Sequence, residues 1–156
     1  MANSFFAGCG YVGQKVAQQE RLDGGSVGAL VRRIESANSL HREGISAISA
    51  DLDRPQLLPT LDLVGRVLYW FVPPPLHGTK DPRISTLLRS IEPTALPSRI
   101  VLISTTGVYG DCNGAWINES QPLRPQTDRA RRRVDAEKVI EDWHRHTGII
   151  TVILRV

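Results

Sequence analysis

"FFAGCGYVGQKVA", residues 5–17, decides the fold. A short apolar run ends on Gly8; Gly10 and Gly13 complete the spacing GxGxxG, and a helix-competent stretch from about 12 to 22 opens behind them. That order, strand then tight glycine turn then helix, is the first unit of a parallel α/β sheet. Working outward, apolar runs recur at regular intervals: "SVGALV" (26–31), "SAISA" (46–50), "RVLYWFV" (66–72), "RIVLIS" (99–104) and "IITVILRV" (149–156). Polar stretches alternate with them and predict helices over about 36–43 and 84–91, with a loop or helix through "RPQLLPTLD" and a further helix carrying "TDRARRRVDAEK" (127–138). The strands are apolar at nearly every position rather than at alternate ones, which a parallel sheet covered on both faces requires. The fold class is therefore α/β, a doubly wound parallel sheet of six or more strands with helices on both faces.

The 156 residues form one expected domain, since 41% hydrophobic residues suffice for a sizeable core and no linker divides the chain. A net charge of +3 is too small to indicate a nucleic-acid partner without local clustering. No apolar stretch is long enough to span a bilayer, and "MANSFFAGCG" lacks a charged leader with a long apolar core, so a cytoplasmic address is expected. Cys9 and Cys112 sit in neither disulfide nor zinc spacing and read as free thiols. The sequence ends two residues after Leu154, at the end of a strand, and we expect a C-terminal substrate-binding part to be lacking.

In the glycine loop, Gly8 permits the turn, Gly10 lets the backbone approach a pyrophosphate, and Gly13 lets the helix pack close on the strand. The helix N-terminus then presents free N–H groups to that anion. A Rossmann-like dinucleotide site follows, with Gly8, Cys9, Gly10, Tyr11, Val12 and Gly13 as its phosphate loop. An NAD site places an acid about 20 residues on, at the end of the second strand, for the ribose 2′-OH. Here Arg32 and Arg33 stand there, and Glu35 is the nearest acid. Arginine suits a 2′-phosphate, so NADP(H) is expected over NAD(H); the alternative is that both arginines begin a solvated loop. Asp51 and Leu52 are placed to flank the adenine, although Asp51 equally suits a cap on the turn before Pro55. Phe71 and Val72, closing the fourth strand, and Ser104, closing the fifth, are the remaining candidate cofactor contacts.

"ISTTGVYGD" (103–111) brings a hydroxyl cluster to the end of the fifth strand. With "AGCGYVG", "ALVRR", Asp51-Leu52 and the final "ILRV", it resembles the extended and atypical short-chain dehydrogenase/reductases, in particular the NAD-dependent epimerase/dehydratase family, over nearly all 156 residues. The resemblance implies a nicotinamide cofactor and hydride exchange with a small polar carbonyl or hydroxyl substrate such as a nucleotide sugar. It also implies a homodimer built through two helices, one bearing the arginine run. By the same resemblance Thr105 matches the catalytic hydroxyl, with Ser104 and Thr106 beside it, and Tyr109 belongs to a structural turn.

Such proteins carry a Tyr-x-x-x-Lys pair on the next helix. Aligned on Glu137, Arg129 stands in the place of the tyrosine and Arg133 in that of the lysine, and no tyrosine follows Tyr109. A guanidinium stays charged up to about pH 12 and cannot replace the phenol as an acid or base. Arg133 retains the lysine's other role, binding the nicotinamide ribose.

On a helical wheel Ala136, Val139, Ile140 and Trp143 form the apolar stripe, and Arg129, Arg132 and Arg133 continue it, while Arg131 points away. Cations on that face call for an anion: a cofactor phosphate, an anionic substrate, or Asp111 or Glu119. A structural salt-bridge cluster is the alternative, and nucleic acid is disfavoured because no aromatics interleave the arginines. Asp128 and Arg132 form a plausible i,i+4 pair, and Thr127 or Asp128 caps the helix. His144 and His146 face different directions, His41 and His77 lack partners, and no metal site is expected. Two functional readings remain: an NADP(H)-dependent oxidoreductase or epimerase-like protein, and a non-catalytic dinucleotide-binding sensor.

Overall fold

The computed structural model describes residues 3–156. Six strands, β1 (Asn3–Ala7), β2 (Val27–Val31), β3 (Ser46–Ser49), β4 (Arg66–Trp70), β5 (Arg99–Ser104) and β6 (Ile150–Arg155), form one sheet in the order β3-β2-β1-β4-β5-β6. Every neighbouring pair is parallel. The expected Rossmann-like architecture is what the chain adopts.

Both faces are covered, and successive residues of β1 show why the strands read as continuously apolar. Phe5 and Ala7 face a core with Leu68, Trp70, Ile100 and Leu102, packed under α3 (Pro82–Arg89) and α4 (Asp128–Thr147). Phe6 faces the other way, with Ala29, Val31 and Leu40, under α1 (Tyr11–Leu22) and α2 (Ile34–Arg42). Both sets are withdrawn from water, so period-two alternation disappears. Phe6 stacks on Tyr69 with ring centroids 4.6 Å apart.

The elements differ from expectation mainly at their ends. α2 starts at Ile34 rather than near Ser36, because Arg33 is still extended (φ −104°, ψ 138°) and acts as the N-cap residue. α3 starts at Pro82, with Asp81 capping it by accepting from the Arg83 N–H at 3.2 Å. Proline at the first helical position lacks the N–H that would be orphaned there anyway. "RPQLLPTLD" forms only a 3-10 turn over Pro55–Leu57. Of the two N-cap candidates for α4, Thr127 serves, its Oγ1 accepting from the Ala130 N–H. No helix among the described residues is long and apolar enough to cross a membrane.

Strand order reverses between β1 and β4. Ligands of open α/β sheets bind beyond the carboxyl ends of the strands at this kind of junction. Gly8 sits there with φ +81°, and a Cβ on it would lie 2.8 Å from the Val72 nitrogen and 2.9 Å from the Phe71 carbonyl carbon. Only glycine lets the two chain segments approach so closely.

Candidate functional site

A cleft of about 340 Å³ opens at this junction. Gly8, Cys9 and Gly10 form one wall, Arg32, Arg33 and Ser36 a second, and Asp51, Leu52 and Asp53 a third, with Val72, Pro73 and Arg83 closing it. The structure thus gathers eight of the residues singled out from sequence: Gly8, Cys9, Gly10, Arg32, Arg33, Asp51, Leu52 and Val72. Tyr11 and Val12 lie at the exposed start of α1. Gly13 is buried, and a Cβ on it would lie 3.0 Å from the Gly8 carbonyl, so its job is close helix packing. Phe71 turns into the aromatic cluster with Phe6 and Tyr69 rather than lining the cleft.

The donor set fits a pyrophosphate. Gly10 is the N-cap of α1, no side chain caps that end, and no acid occupies the first turn. The first helical bond runs from the Gln14 N–H to the Gly10 carbonyl, which leaves earlier N–H groups for a ligand. A Cβ on Gly10 would meet nothing within 4 Å, so the space above the loop is open. Cys9 adds no reactive group: burial first, then the charge of Glu43, pushes its thiol up to about 11.

Opposite the loop, Arg32 lies 3.4 Å from Asp51, with a largely exposed side chain. Asp51 also performs the capping alternative, Oδ1 accepting from the Asp53 N–H at 3.0 Å. Glu35 is exposed and outside the cleft wall, whereas Ser36 lines it.

A clamp not foreseen from sequence closes the mouth. Arg83 donates to both carboxylate oxygens of Asp53, at 2.8 and 2.7 Å, and to the Pro73 carbonyl at 3.1 Å. The Arg83 hydrogen bond holds the Asp53 carboxyl below its usual range, and the same bond holds the guanidinium above its own. The pair joins the segment after β3 to α3 and to the segment after β4. Thirty residues separate its members, so no local pattern betrays it.

The arginine run divides differently from the wheel. Arg132 and Arg133 are buried, at 7% and 8% exposure, but Arg129 is exposed together with Arg131. Arg129 is the second residue of α4, so a long side chain there reaches water beyond the packed part of the helix. The partners expected for the buried arginines are also replaced. Arg133 donates to the Val72 carbonyl at 3.4 Å and Arg132 to the Gly78 carbonyl, so both buckle α4 to the segment joining β4 to α3. Asp135 assists by accepting from the Asp81 N–H at 2.9 Å. Asp111 instead accepts from the Asn113 N–H, the Glu119 carbonyl accepts from Arg155, and Asp128 pairs with Arg131 at 2.7 Å rather than with Arg132. Free carbonyls of the connecting segment were closer to these guanidiniums than any of the expected acids.

Thr105 follows β5 and is half-buried, its Oγ1 accepting from the Gly107 N–H at 3.2 Å. Its own O–H stays free to donate. Ser104 does not reach the glycine cleft: it is 3% exposed and its hydroxyl donates to Glu137. Glu137, which the sequence did not single out as a functional residue, is 1% exposed and also accepts from Arg155 Nη2 at 2.8 Å. Arg155 in turn donates to Tyr109 Oη at 2.9 Å and lies over that ring, which makes the tyrosine part of a structural knot. Neither Thr105, Arg129 nor Arg133 lines the glycine cleft. A second hollow, of about 620 Å³, lies beyond β5 and β6 between Thr106, Tyr109, Glu119 and Arg155.

No family model and no curated protein sequence matches the chain. Solved structures do. A functionally unknown conserved protein from Silicibacter pomeroyi superposes with TM-score 0.73 at 24% identity, over 99% of this chain and 53% of that one. The UDP-Glc/GlcNAc 4-epimerase of Campylobacter jejuni gives 0.76 at 17%, over 99% and 53%. A UDP-glucuronic acid 4-epimerase of Bacillus cereus, in complex with NAD, gives 0.72 at 20%, over 98% and 55%. The fold is shared with sugar-nucleotide epimerases. The chain spans about half the length of these neighbours.

Proposed function

We propose that the cleft binds a nicotinamide dinucleotide, NADP(H) in preference to NAD(H), and that the chain is the dinucleotide-binding domain of an oxidoreductase or nucleotide-sugar epimerase/dehydratase-like protein. The observation that carries this reading is the uncapped N-terminus of α1 behind the open Gly10 turn, with Arg32 and Arg33 on the facing wall of one cleft. The pyrophosphate rests on the glycine loop, Asp51 and Leu52 flank the adenine, and Arg32, Arg33 and Ser36 receive the 2′-phosphate through charged hydrogen bonds. The Bacillus cereus neighbour binds NAD, and the arginines are the reason to expect the phosphorylated form here. When bound, the cofactor supplies hydride exchange at its nicotinamide ring. Thr105 orients the oxygen of a polar carbonyl or hydroxyl substrate, with Arg133 toward the nicotinamide ribose. The substrate-binding part corresponds to the neighbours' additional length, and a homodimer through α4 in the cytoplasm completes the proposal.

A non-catalytic dinucleotide-binding sensor is the second reading, supported by the resemblance that sets Arg129 in the place of the proton-transferring tyrosine and by the exposure of that arginine. Fluorescence titration with NADPH and NADH tests the cofactor. Tighter NADPH binding that Arg32→Ala abolishes is expected; equal affinities would remove the 2′-phosphate argument, and binding of neither would refute the site. Single-turnover absorbance of the bound nicotinamide with a panel of sugar nucleotides then separates enzyme from sensor, silence with tight cofactor binding selecting the sensor.

A further inference from the structure

Two guanidiniums of α4 are over nine-tenths buried, and neither has a carboxylate within ion-pairing distance among the described residues. Among the described residues Arg132 donates only to the Gly78 carbonyl, and its Nε is buried without a partner there. Arg133 has a single long contact to the Val72 carbonyl. A buried charge without an ion-pair partner is costly, and an arginine cannot escape by losing its proton. Two carboxyl groups act on Arg133 from the packed elements, Asp81 and Glu137. Glu137 is committed to Arg155 and Ser104. Asp81 is fully buried, which raises its carboxyl to about 6; above that pH its charge opposes that of Arg133, but from beyond ion-pairing distance, and Asp135 accepts from the Asp81 N–H. Arg129, one turn toward the N-terminus of α4, adds a like charge beside Arg133 and makes no ion pair among the described residues. The helix N-terminus adds further positive potential, and the acid of the first turn, Asp128, is taken by Arg131.

This concentration of positive charge adjoins the cleft, because the carbonyl that Arg133 holds belongs to Val72, itself part of the cleft wall. We propose that Arg133 and Arg129 bind an anionic group of the second ligand, a carboxylate or phosphate distinct from those of the dinucleotide. Arg133 supplies the buried charge, Arg129 the exposed one that first meets the ligand, and Arg132 braces the wall by holding Gly78. The proposal names the class of the second ligand, and rests on the dinucleotide function proposed above only for the neighbouring ligand. The positions that resemble a proton-transferring pair then hold an anion-recognition pair instead.

The test is thermal unfolding of the protein in chloride buffer, titrated with inorganic phosphate or malonate, with and without saturating NADPH. Both anions are expected to raise Tm, and to do so with NADPH bound. Arg129→Gln is expected to weaken the apparent affinity about tenfold, the worth of one charge-assisted hydrogen bond. Arg131→Gln, which alters an exposed arginine paired to Asp128, leaves the response unchanged. Arg133→Lys keeps a charge to hold the fold and loses the two-pronged contact, weakening malonate and phosphate alike. No response in the wild type overturns the proposal. So does a response that vanishes under saturating NADPH, which assigns the anion to the cofactor site, or one that Arg131→Gln weakens as much as Arg129→Gln. The NADPH-induced shift in Tm, read in the same samples, reports the dinucleotide reading separately.

Discussion

Replacing Glu137 by alanine is expected to be among the most damaging single changes in the chain. The carboxylate is 1% exposed and serves three donors: the Ser104 hydroxyl, Arg155 Nε at 3.2 Å and Arg155 Nη2 at 2.8 Å. It ties α4 to the carboxyl ends of both β5 and β6. Alanine leaves the Arg155 guanidinium, only 17% exposed, without its counter-charge, strands the buried Ser104 hydroxyl and opens a void. Breaking a buried pair by removing one partner costs about 3–5 kcal/mol. That is a large share of the roughly 5–15 kcal/mol by which domains are stable. Replacing both partners, Glu137→Leu with Arg155→Met, removes the desolvated charges together and is expected to restore all but about 1–2 kcal/mol. Urea unfolding of the two single variants and the double variant measures the coupling from the midpoints at constant slope. The reasoning is refuted if Glu137→Ala costs less than about 1 kcal/mol, or if the double variant is as unstable as the sum of the singles.

The glycine loop separates stability from binding. Gly8→Ala places a methyl group against the backbone of Val72 and Phe71 at positive φ, so a loss of about 2 kcal/mol or more is expected in urea unfolding. Gly10→Ala meets nothing within 4 Å, so stability should hold within about 1 kcal/mol while NADPH fluorescence titration shows lost affinity. Asp81 gives a pH signature: burial raises its carboxyl to about 6, so the folded state favours the protonated form. Its contribution is present below about pH 4 and lost as pH rises toward 6. Asp81→Asn keeps a capping oxygen without the charge, and its stability relative to wild type should climb between those pH values by about 2–3 kcal/mol; a flat difference would show that Asp81 ionises freely. Breaking the clamp with Arg83→Met should loosen the cleft mouth and speed amide hydrogen exchange between Asp53 and Pro73, with α4 unaffected.

Local pattern was enough wherever the physical cause was local. Strand positions with apolar residues on both faces, the GxGxxG turn, a helix cap at Thr127 or Asp128 and two arginines directly after β2 are all features of near neighbours in the chain, and their steric and hydrogen-bonding demands act over a few residues. These suffice for a parallel doubly wound sheet with a cleft at the β1–β4 junction. What the sequence alone could not assign was partnership. A helical wheel counts angles but not where the packing surface ends, so it placed Arg129 with Arg132 and Arg133, although Arg129 emerges into water. The Asp53–Arg83 clamp, the Glu137–Arg155–Ser104 knot and the grip of Arg132 and Arg133 on two backbone carbonyls join residues 18 to 61 positions apart. Desolvation and charge pairing depend on what the finished fold brings within a few ångströms, and only the tertiary structure decides that.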